Sequence, residues 1–218
     1  MTREISRTLR LLAAAAVALW LLALLFPPPA QGAVPERANQ YRRLLIQAAH
    51  LQFGLDAPIS LFAAQVHQES AWRPAARSPF AEGLTQFTPD TSKWIASVYP
   101  QSLGPAQPYS PKWALNAMAR YNRHLYDRIL RAAADCDRWA MTLAAYNGGP
   151  GWITRDRRLA AQRGADPNRW WGHVEHHSPR ARWAFKENRD YPQRIIHRHQ
   201  PLYLRAGWGG PAVCLERP

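Results

Sequence analysis

The feature that most constrains the fold is an apolar stripe at helical spacing that ends in a carboxylate. Glu69 is the next residue on the face shared by Ile59, Phe62, Ala63 and Val66. This spacing predicts a helix with one face in a core and an acid at the edge of that core. Burying an ionised carboxylate costs free energy unless its pKa rises or a partner compensates its charge. Glu69 is therefore a candidate proton donor near neutral pH.

The remainder of the chain also carries helix signals, and no alternating strand pattern of useful length is found. Serine or threonine before proline is typical of a helix start, because the hydroxyl caps a free N–H and proline suits the first turn. We predict helices that begin at Pro35, Thr88-Pro89, Ser110-Pro111 (to about Ala134), Asp135 or Asp137, residue 151, Ser178-Pro179 and Pro192. Residues 100–110 and 164–178 are predicted to be irregular. We expect one mainly α domain, since 218 residues suffice for a single substantial core.

The chain is strongly basic, with 28 Lys and Arg against 15 Asp and Glu and a net charge of +13. Such a charge favours anionic partners such as nucleic acid, anionic lipid or an acidic cell-wall polymer. Nucleic-acid-binding proteins usually gather their basic residues on one face or arm, whereas here they are scattered through predicted helices. We therefore expect no specific nucleic-acid partner and favour a basic surface that holds the protein to an anionic wall.

The first 33 residues have the pattern of an export segment. Three arginines precede the apolar run 11–26, and prolines and small residues follow it. The run is intermediate in length between a signal-peptide core and a full membrane span. Both cleavage after Gly32 or Ala33 and retention as an inner-membrane anchor are compatible with that length. In either case residues 34–218 form an exported domain, in the periplasm or facing it from the inner membrane.

The two cysteines of the chain are Cys136 and Cys214. Export places the domain in a compartment where disulfides persist, so we favour a bridge between them. Such a bridge would tie the C-terminal tail to the middle of the domain. The alternative is one buried thiol and one loose thiol.

Four segments resemble the conserved blocks of the soluble lytic transglycosylase (SLT) family. They are Gln68-Glu69-Ser70, then GLTQFTP over residues 83–89, AAYNGGPG over residues 144–151, and ENRDY over residues 187–191. The segments occur in the family order over roughly residues 58–196. Thr85 stands where the family usually has Met. The combination is far more specific than any one of the motifs.

The resemblance implies a lysozyme-like fold, mainly α with a small β part, with a groove for peptidoglycan glycan strands. It implies an enzyme, a lytic transglycosylase, that cleaves the β-1,4 bond between N-acetylmuramic acid and N-acetylglucosamine. Glu69 would be the single general acid and base, first protonating the bridging oxygen and then taking the C6 hydroxyl proton as a 1,6-anhydro ring closes. We expect an apolar wall from Phe62, Phe80 and Phe87 to exclude water. No metal or other cofactor is implied, and we expect a monomer.

The same resemblance assigns groove contacts to five further residues: Ser70, Gln86, Tyr146, Asn147 and Tyr191. Asn147 is expected at the N-acetyl group of the substrate, and Tyr191 is expected to orient the catalytic carboxylate. Each residue also has a purely structural alternative. Ser70 could merely cap or fill a bend, and Gln86 could satisfy backbone groups of its own turn. Asn147 could simply accept a left-handed conformation at the end of its helix, and either tyrosine could be a packed core aromatic.

Several alternative interpretations remain open at this point. Without the flanking motifs, Glu69 would be interpreted as a helix-end acid paired with Arg73, four residues later. Glu187 is interpreted as half of a structural ion pair with a neighbour such as Arg189, and the histidines of segment 173–177 lack the usual spacing of a helical zinc site. Two rival functions are a muramidase on the same fold, which admits water, and a non-catalytic wall-binding or virion scaffold module.

Overall fold

The computed structural model describes residues 32–214 of the chain, and residues from Val34 onward form one compact unit. The predicted fold class, a mainly helical single domain, is confirmed. A 3₁₀ helix over Glu36–Tyr41 leads into α1 (Arg42–Phe53), α2 (Ile59–Ser70), α3 (Pro89–Val98), α4 (Pro100–Leu103), α5 (Pro111–Arg128), α6 (Asp135–Gly148), α7 (Pro150–Gln162), a 3₁₀ turn (Val174–His176), α8 (Arg182–Gln193), a π-helical turn (Arg194–His199) and α9 (Gln200–Arg205). Within the described range, β pairing is limited to two isolated bridges, both of which involve Glu82.

Two helix starts follow directly from local sequence chemistry. At the start of α3, Thr88 Oγ1 accepts a hydrogen bond from the backbone N–H of Thr91. At the start of α5, Ser110 Oγ accepts one from the N–H of Trp113. Proline occupies the first helical position in both cases, where its missing N–H costs nothing. These two predicted starts are confirmed.

Helix α2 runs through the centre of the domain, and the first eight of its residues are buried. It packs against α1, α9 and the π-helical turn. The ring of Phe62 is fully buried, 5.4 Å from the ring of Phe53 and 5.6 Å from that of Trp139. Burying an aromatic side chain of this kind contributes about 1.5–3 kcal/mol. The core therefore holds α2 firmly and fixes the position of its last turn, where Glu69 lies.

Tertiary contacts set the ends of two helices. Helix α2 ends at Ser70, because Ala71 and Trp72 adopt left-handed φ angles of +48° and +64°. The indole of Trp72 is fully buried, and its Nε1 donates to the hydroxyl of Tyr203 at 2.6 Å. The helix ends here because the backbone turns and places the Trp72 side chain in the core.

Helix α5 ends at Arg128 and does not extend to Ala134. The chain turns instead, with Arg131 at a φ of +58°, and the N–H of Ala133 donates to the carbonyl of Asn168. The segment 100–110, predicted to be loop, contains the single-turn helix α4. A distant backbone partner thus ends α5 earlier than its own sequence would require.

Two predicted helix starts in the C-terminal third are wrong. Ser178 does not cap a helix, because its hydroxyl donates to the carboxylate of Asp156 at 2.7 Å, and α8 begins only at Arg182. Pro192 lies inside α8 and does not begin a new helix. Proline removes one backbone donor, and the chain passes directly from α8 into the wider π-helical turn Arg194–His199.

The predicted bridge between Cys136 and Cys214 is present, with Cα atoms 5.0 Å apart. It joins the first turn of α6 to the C-terminal tail. The tail also packs on the start of α2, where Ser60 Oγ donates to the carbonyl of Gly209 at 2.9 Å. A Cβ on Gly210 would lie 2.3 Å from the carbonyl oxygen of Ala57, so this close approach requires glycine. The tail therefore holds the N-terminal end of α2 in place, whereas Glu69 lies at the C-terminal end of that helix.

No helix within residues 32–214 is long and apolar enough to cross a membrane. The predicted export or anchor segment, residues 1–33, lies outside the described residues except for its last two positions.

Candidate active site

Glu69 lies in the last turn of α2, at the edge of the core, and is only partly exposed. Its Oε1 accepts a hydrogen bond from the hydroxyl of Tyr191 in α8. Burial raises the pKa of this carboxyl to about 8, the hydrogen bond from Tyr191 opposes that rise, and the negative charge of Glu187 adds to it. Arg73 does not pair with Glu69, since its Nε donates to the carbonyl of Ser70 at 3.0 Å. The Glu69 carboxyl is thus protonated near neutral pH.

A chain of buried hydrogen bonds sets the orientation of the Tyr191 hydroxyl. Asn122 Nδ2 in α5 donates to Gln65 Oε1 at 2.7 Å, and Gln65 Nε2 donates to the Tyr191 hydroxyl at 3.3 Å. Gln65 and Asn122 are both fully buried. Because the amide of Gln65 already donates to the phenol oxygen, the phenol hydrogen is directed at Glu69.

Gln65 and Asn122 were missed by the sequence analysis. Gln65 precedes Glu69 by four residues and therefore lies on the same face of α2, as a polar residue within an apolar stretch. A polar residue at this position, on the face of Glu69, was the feature of the sequence that could have identified Gln65 as part of the site. The role of Asn122 could not be read from sequence, because its partner lies on another helix.

The rings of Tyr146 and Tyr191 lie parallel beside the carboxylate, with centroids 6.5 Å apart and planes 7° from parallel. The Tyr146 hydroxyl donates to the carbonyl of Thr85 at 2.8 Å, and its ring lies 5.5 Å from that of Phe87. Burial, followed by the charge of Glu69, raises the pKa of each tyrosine well above its ordinary value. Both phenols therefore stay protonated and can act as hydrogen-bond donors.

The turn over residues 83–86, which the isolated bridge between Glu82 and Phe87 closes, forms another part of the site. Ser70 is 2% exposed, and its hydroxyl donates to the carbonyl of Leu84 at 2.8 Å, which ties this turn to the end of α2. Gln86 has a φ of +46°, and its Nε2 donates to the carbonyls of Ala76 and Gly83 at 3.2 and 2.9 Å. The nitrogen of this amide is therefore held by backbone, and its Oε1 is the atom left to meet a ligand.

Asn147 follows Tyr146 at the end of α6 and is exposed. Asn188 Nδ2 donates to Asn147 Oδ1 at 3.0 Å and to the carbonyl of Ala144 at 2.8 Å, which leaves the Nδ2 of Asn147 free to donate outward. A Cβ on Gly148 would lie 2.4 Å from the guanidinium of Arg180. Glycine at this position lets α8 and the preceding loop approach the end of α6.

The predicted ion pair of Glu187 is not formed. Arg189 instead donates to the buried carboxylate of Asp156 at 2.8 Å, and Glu187 has no ion pair with any residue in the described part of the chain. Residues two apart on a helix point in different directions, whereas Glu187 and Tyr191, four apart, share a face. Glu187 is consequently exposed on the side of α8 that faces Glu69, close enough for its charge to raise the pKa of Glu69.

The predicted wall of three phenylalanines is not formed either. Phe62 is fully buried in the core two helical turns before Glu69, and Phe80 is 77% exposed in a loop. Phe87 is the one of the three that contacts a site residue, Tyr146. The apolar surface beside Glu69 consists instead of the two stacked tyrosines and the ring of Phe87.

The segment 173–177 does not bring its three histidines together with acids in a metal-binding arrangement. His173 Nδ1 accepts the N–H of Asp166 at 3.0 Å, and His176 lies 3.7 Å from the carboxylate of Glu175. Across residues 32–214, no group of three or more His, Cys, Asp or Glu side chains is placed to hold a metal ion. The titratable group that stands out in the described site is Glu69.

Comparison with known proteins places this geometry in a family. The family model of the transglycosylase SLT domain matches residues 45–168, more than half of the chain. That match includes Glu69, Gln86, Tyr146 and Asn147, whereas Tyr191 lies beyond its end.

Two relatives and one solved structure extend the comparison. The membrane-bound lytic murein transglycosylase F 1 of Alkalilimnicola ehrlichii is 38% identical over 80% of this chain and 29% of its own length. The membrane-bound lytic murein transglycosylase F of Ectopseudomonas mendocina is 32% identical over 62% of this chain and 26% of its own length. The chain thus spans less than a third of these relatives. The 70 kDa soluble lytic transglycosylase of Escherichia coli has a similar fold, with a TM-score of 0.60 and 23% identity over 81% of this chain and 26% of that chain. The fold, the spacing of the motifs and the match over residues 45–168 agree, and the chain belongs to the transglycosylase SLT domain family.

Proposed function

We propose that this protein is a lytic transglycosylase that cleaves peptidoglycan glycan strands. The bond cut is the β-1,4 bond between N-acetylmuramic acid and N-acetylglucosamine, and the product carries a 1,6-anhydro-N-acetylmuramic acid end. The observation that carries the proposal is the Glu69 carboxyl, whose pKa is about 8 and whose Oε1 accepts a hydrogen bond from Tyr191. Both relatives described above bear the name lytic murein transglycosylase, which supports the substrate class.

In the first step Glu69 acts as a general acid. At neutral pH its carboxyl is protonated, because its pKa of about 8 lies above the ambient pH. The proton passes to the bridging oxygen, the bond from that oxygen to C1 of the muramic acid breaks, and the N-acetylglucosamine leaves as an alcohol. Positive charge develops at C1, where the acetamido group of the substrate itself can share it.

In the second step the same group acts as a general base. The Glu69 carboxylate takes the proton of the C6 hydroxyl, O6 bonds to C1, and the 1,6-anhydro ring closes. Glu69 is then protonated again, so the cycle consumes no water. Tyr191 donates to the carboxylate that exists between the two steps, and burial favours the protonated form before and after them. One carboxyl group thereby serves both steps.

The other site residues are proposed to hold the sugar and the acid. Asn147 would donate its outward amide to the N-acetyl carbonyl, and Gln86 would accept a sugar hydroxyl at Oε1. Tyr146 presents a ring edge to the sugar while its hydroxyl stays on Thr85. Ser70 acts by positioning the turn through Leu84, since its own side chain is buried.

A muramidase on the same fold is the rival that one observation favours. Hydrolytic glycosidases usually use two carboxylates, one as acid and one to activate water or attack C1. Glu187 is a second carboxylate, exposed and close enough for its charge to raise the pKa of Glu69. The two activities differ in the chemical end they leave on the muramic acid.

Mass spectrometry of digested sacculi tests the proposal. Sacculi treated with the wild-type protein should release muropeptides with anhydro ends, 18 Da lighter than the reducing ends that hydrolysis leaves, because ring closure loses the elements of water. The Glu69→Gln protein serves as the negative control, since it should release no muropeptides. Reducing ends alone would establish the muramidase. Wild-type protein that binds sacculi and releases nothing would establish the wall-binding module.

Two substitutions should move the pH profile of kcat/KM in opposite directions. Activity needs protonated Glu69 and is lost as the pH rises through its pKa. Tyr191→Phe removes the hydrogen bond that lowers this pKa, so the alkaline limb should move to higher pH. Glu187→Gln removes the like charge that raises it, so the limb should move to lower pH. Turbidity loss of sacculi between pH 5 and pH 10 measures both.

Tyr191→Phe should also lower kcat about tenfold at its best pH, because it removes a hydrogen bond to the carboxylate formed between the two steps. Glu187→Gln should retain most of its kcat. If the alkaline limb of the pH profile stays in place, or moves in the same direction in both variants, the assignment of Glu69 as the titrating acid is contradicted.

We further propose that the domain acts at the periplasmic face of the inner membrane or free in the periplasm, after export by residues 1–33. The net charge of +13 supports attachment to an anionic wall. N-terminal sequencing of the protein recovered from the cell envelope distinguishes a cleaved signal, with a new terminus near Ala33, from a retained anchor. A monomer is expected, and sedimentation equilibrium tests that expectation.

A further inference from the structure

A buried carboxylate in α7 begins a chain of polar side chains that ends at the site. Asp156 is fully buried, and it accepts hydrogen bonds from the hydroxyl of Ser178 at 2.7 Å and from Nη2 of Arg189 at 2.8 Å. Arg180, whose side chain is 4% exposed, lies 3.7 Å from the same carboxylate. A buried ion pair is often no more stabilising than apolar residues of similar volume. Stability alone therefore does not account for Asp156.

Arg189 connects this carboxylate to the next side chain. While its Nη2 donates to Asp156, its Nη1 donates to Oδ1 of Asn188 at 2.6 Å. Its guanidinium also lies 4.8 Å from the ring centroids of both Trp170 and Phe185. A guanidinium is planar and its donors have a fixed geometry. Anchoring one end of the group on Asp156 therefore sets the direction in which the other end donates.

The surroundings of Asn188 allow its side-chain amide only one orientation. This amide is buried, with a guanidinium at Oδ1 and the carbonyl of Ala144 at 2.8 Å from Nδ2. A guanidinium can only donate and a carbonyl can only accept, so a reversed amide would oppose donor to donor and acceptor to acceptor. The Nδ2 of Asn188 is thereby fixed, and it also donates to Oδ1 of Asn147 at 3.0 Å.

We infer that the three side chains of this network, Asp156, Arg189 and Asn188, are positioning residues. Through them the amide of Asn147 is held as a hydrogen-bond donor toward the N-acetyl carbonyl of the glycan. The inference rests on the proposed function, which assigns Asn147 to that N-acetyl group. A reversed Asn147 would present its oxygen to the acetyl oxygen, and two acceptors repel each other. Fixing the amide in advance also reduces the entropy lost when the sugar binds.

A double-mutant cycle in the inactive Glu69→Gln background tests the link between the two asparagines. The probe is chitotetraose, a neutral chain of four N-acetylglucosamine units, titrated calorimetrically. Asn147→Ala and Asn188→Ala should each weaken its binding about fivefold, as expected for the loss of one hydrogen bond between uncharged groups. The variant with both changes should lose no more than either alone, because Asn188 acts through Asn147. A general structural role for Asn188 would instead make the two losses multiply.

Two further variants in the same background test the carboxylate. Asp156→Asn keeps the size of the side chain but removes the charge that anchors Arg189, so it should weaken chitotetraose binding several-fold. It should cause no further loss once Asn147→Ala is present. Ser178→Ala is the matched control, because it removes another hydrogen bond of the same carboxylate and leaves the path through Arg189 intact. It should bind chitotetraose as the parent does.

Breaking a buried ion pair is destabilising, so circular dichroism and urea unfolding accompany each titration. If Asp156→Asn does not fold, Asn188→Ala decides the inference, because it leaves the ion pair between Asp156 and Arg189 in place.

Failure of this inference can be separated from failure of the proposed function. Unchanged affinity in Asn188→Ala, losses that multiply in the double variant, or a folded Asp156→Asn protein with parental affinity would overturn the positioning role. So would the absence of chitotetraose binding in the Glu69→Gln parent. None of these results touches the proposed function, which is decided by the anhydro ends released by the wild-type protein.

Discussion

Replacing Glu69 with glutamine should reduce the rate of sacculus lysis by about 10³-fold, because general acid–base catalysis typically contributes about 10²–10⁴. Glutamine has nearly the shape of the protonated carboxyl but cannot deliver or take a proton. Glu187 cannot readily replace it, since Glu187 is exposed and the hydroxyl of Tyr191 is directed at Glu69. The loss should appear in kcat, with binding to sacculi retained.

The measurement is turbidity loss of purified sacculi, with co-sedimentation to follow binding. Glu187→Gln is the matched control, because it removes the neighbouring carboxylate and leaves Glu69 intact. Circular dichroism of the Glu69→Gln protein confirms that its helices are present. If Glu69→Gln lyses sacculi within tenfold of the wild-type rate while Glu187→Gln is inactive, the roles assigned to the two acids are wrong.

Breaking the bridge between Cys136 and Cys214 should lower the free energy of unfolding by about 4 kcal/mol. The two residues are 78 positions apart, and closing a loop of that size removes much of the entropy of the unfolded chain. The native contacts that the bridge supports are those of the tail with the start of α2, including Ser60 with Gly209. The loss should therefore show as a lower midpoint of unfolding and leave the geometry of the site unchanged.

Urea unfolding of the oxidised wild type and of the Cys136→Ser, Cys214→Ser double variant measures this difference. The wild type in dithiothreitol should match the double variant, which separates loss of the bridge from any effect of serine. Lysis at 25 °C should continue in the double variant as long as it remains folded. A difference below 1 kcal/mol would show that the tail contacts alone hold the C-terminal segment.

Local chemistry made much of the fold predictable. Thr88 and Ser110 cap their helices with their own hydroxyls, and the outcome depends on only the three or four residues that follow. Ser178 has the same Ser-Pro signal and fails, because the carboxylate of Asp156, distant in sequence, binds its hydroxyl. The hydroxyl of a capping residue can bind any other polar group that the fold brings near it. The sequence around the cap does not show which groups those are.

The candidate site shows the same division. The helical spacing that puts Glu69 at the edge of the core is a property of α2 alone. The sequence by itself determined that the chain is helical and that Glu69 faces the edge of the core. It also determined that the motif segments follow one another in the family order. Only the tertiary structure decided which groups meet that acid: the Tyr191 hydroxyl, aimed by Gln65 and Asn122, and the charge of Glu187. The physical reason is that the pKa of a carboxyl depends on its desolvation and on partners from other helices, which come together only when those helices pack.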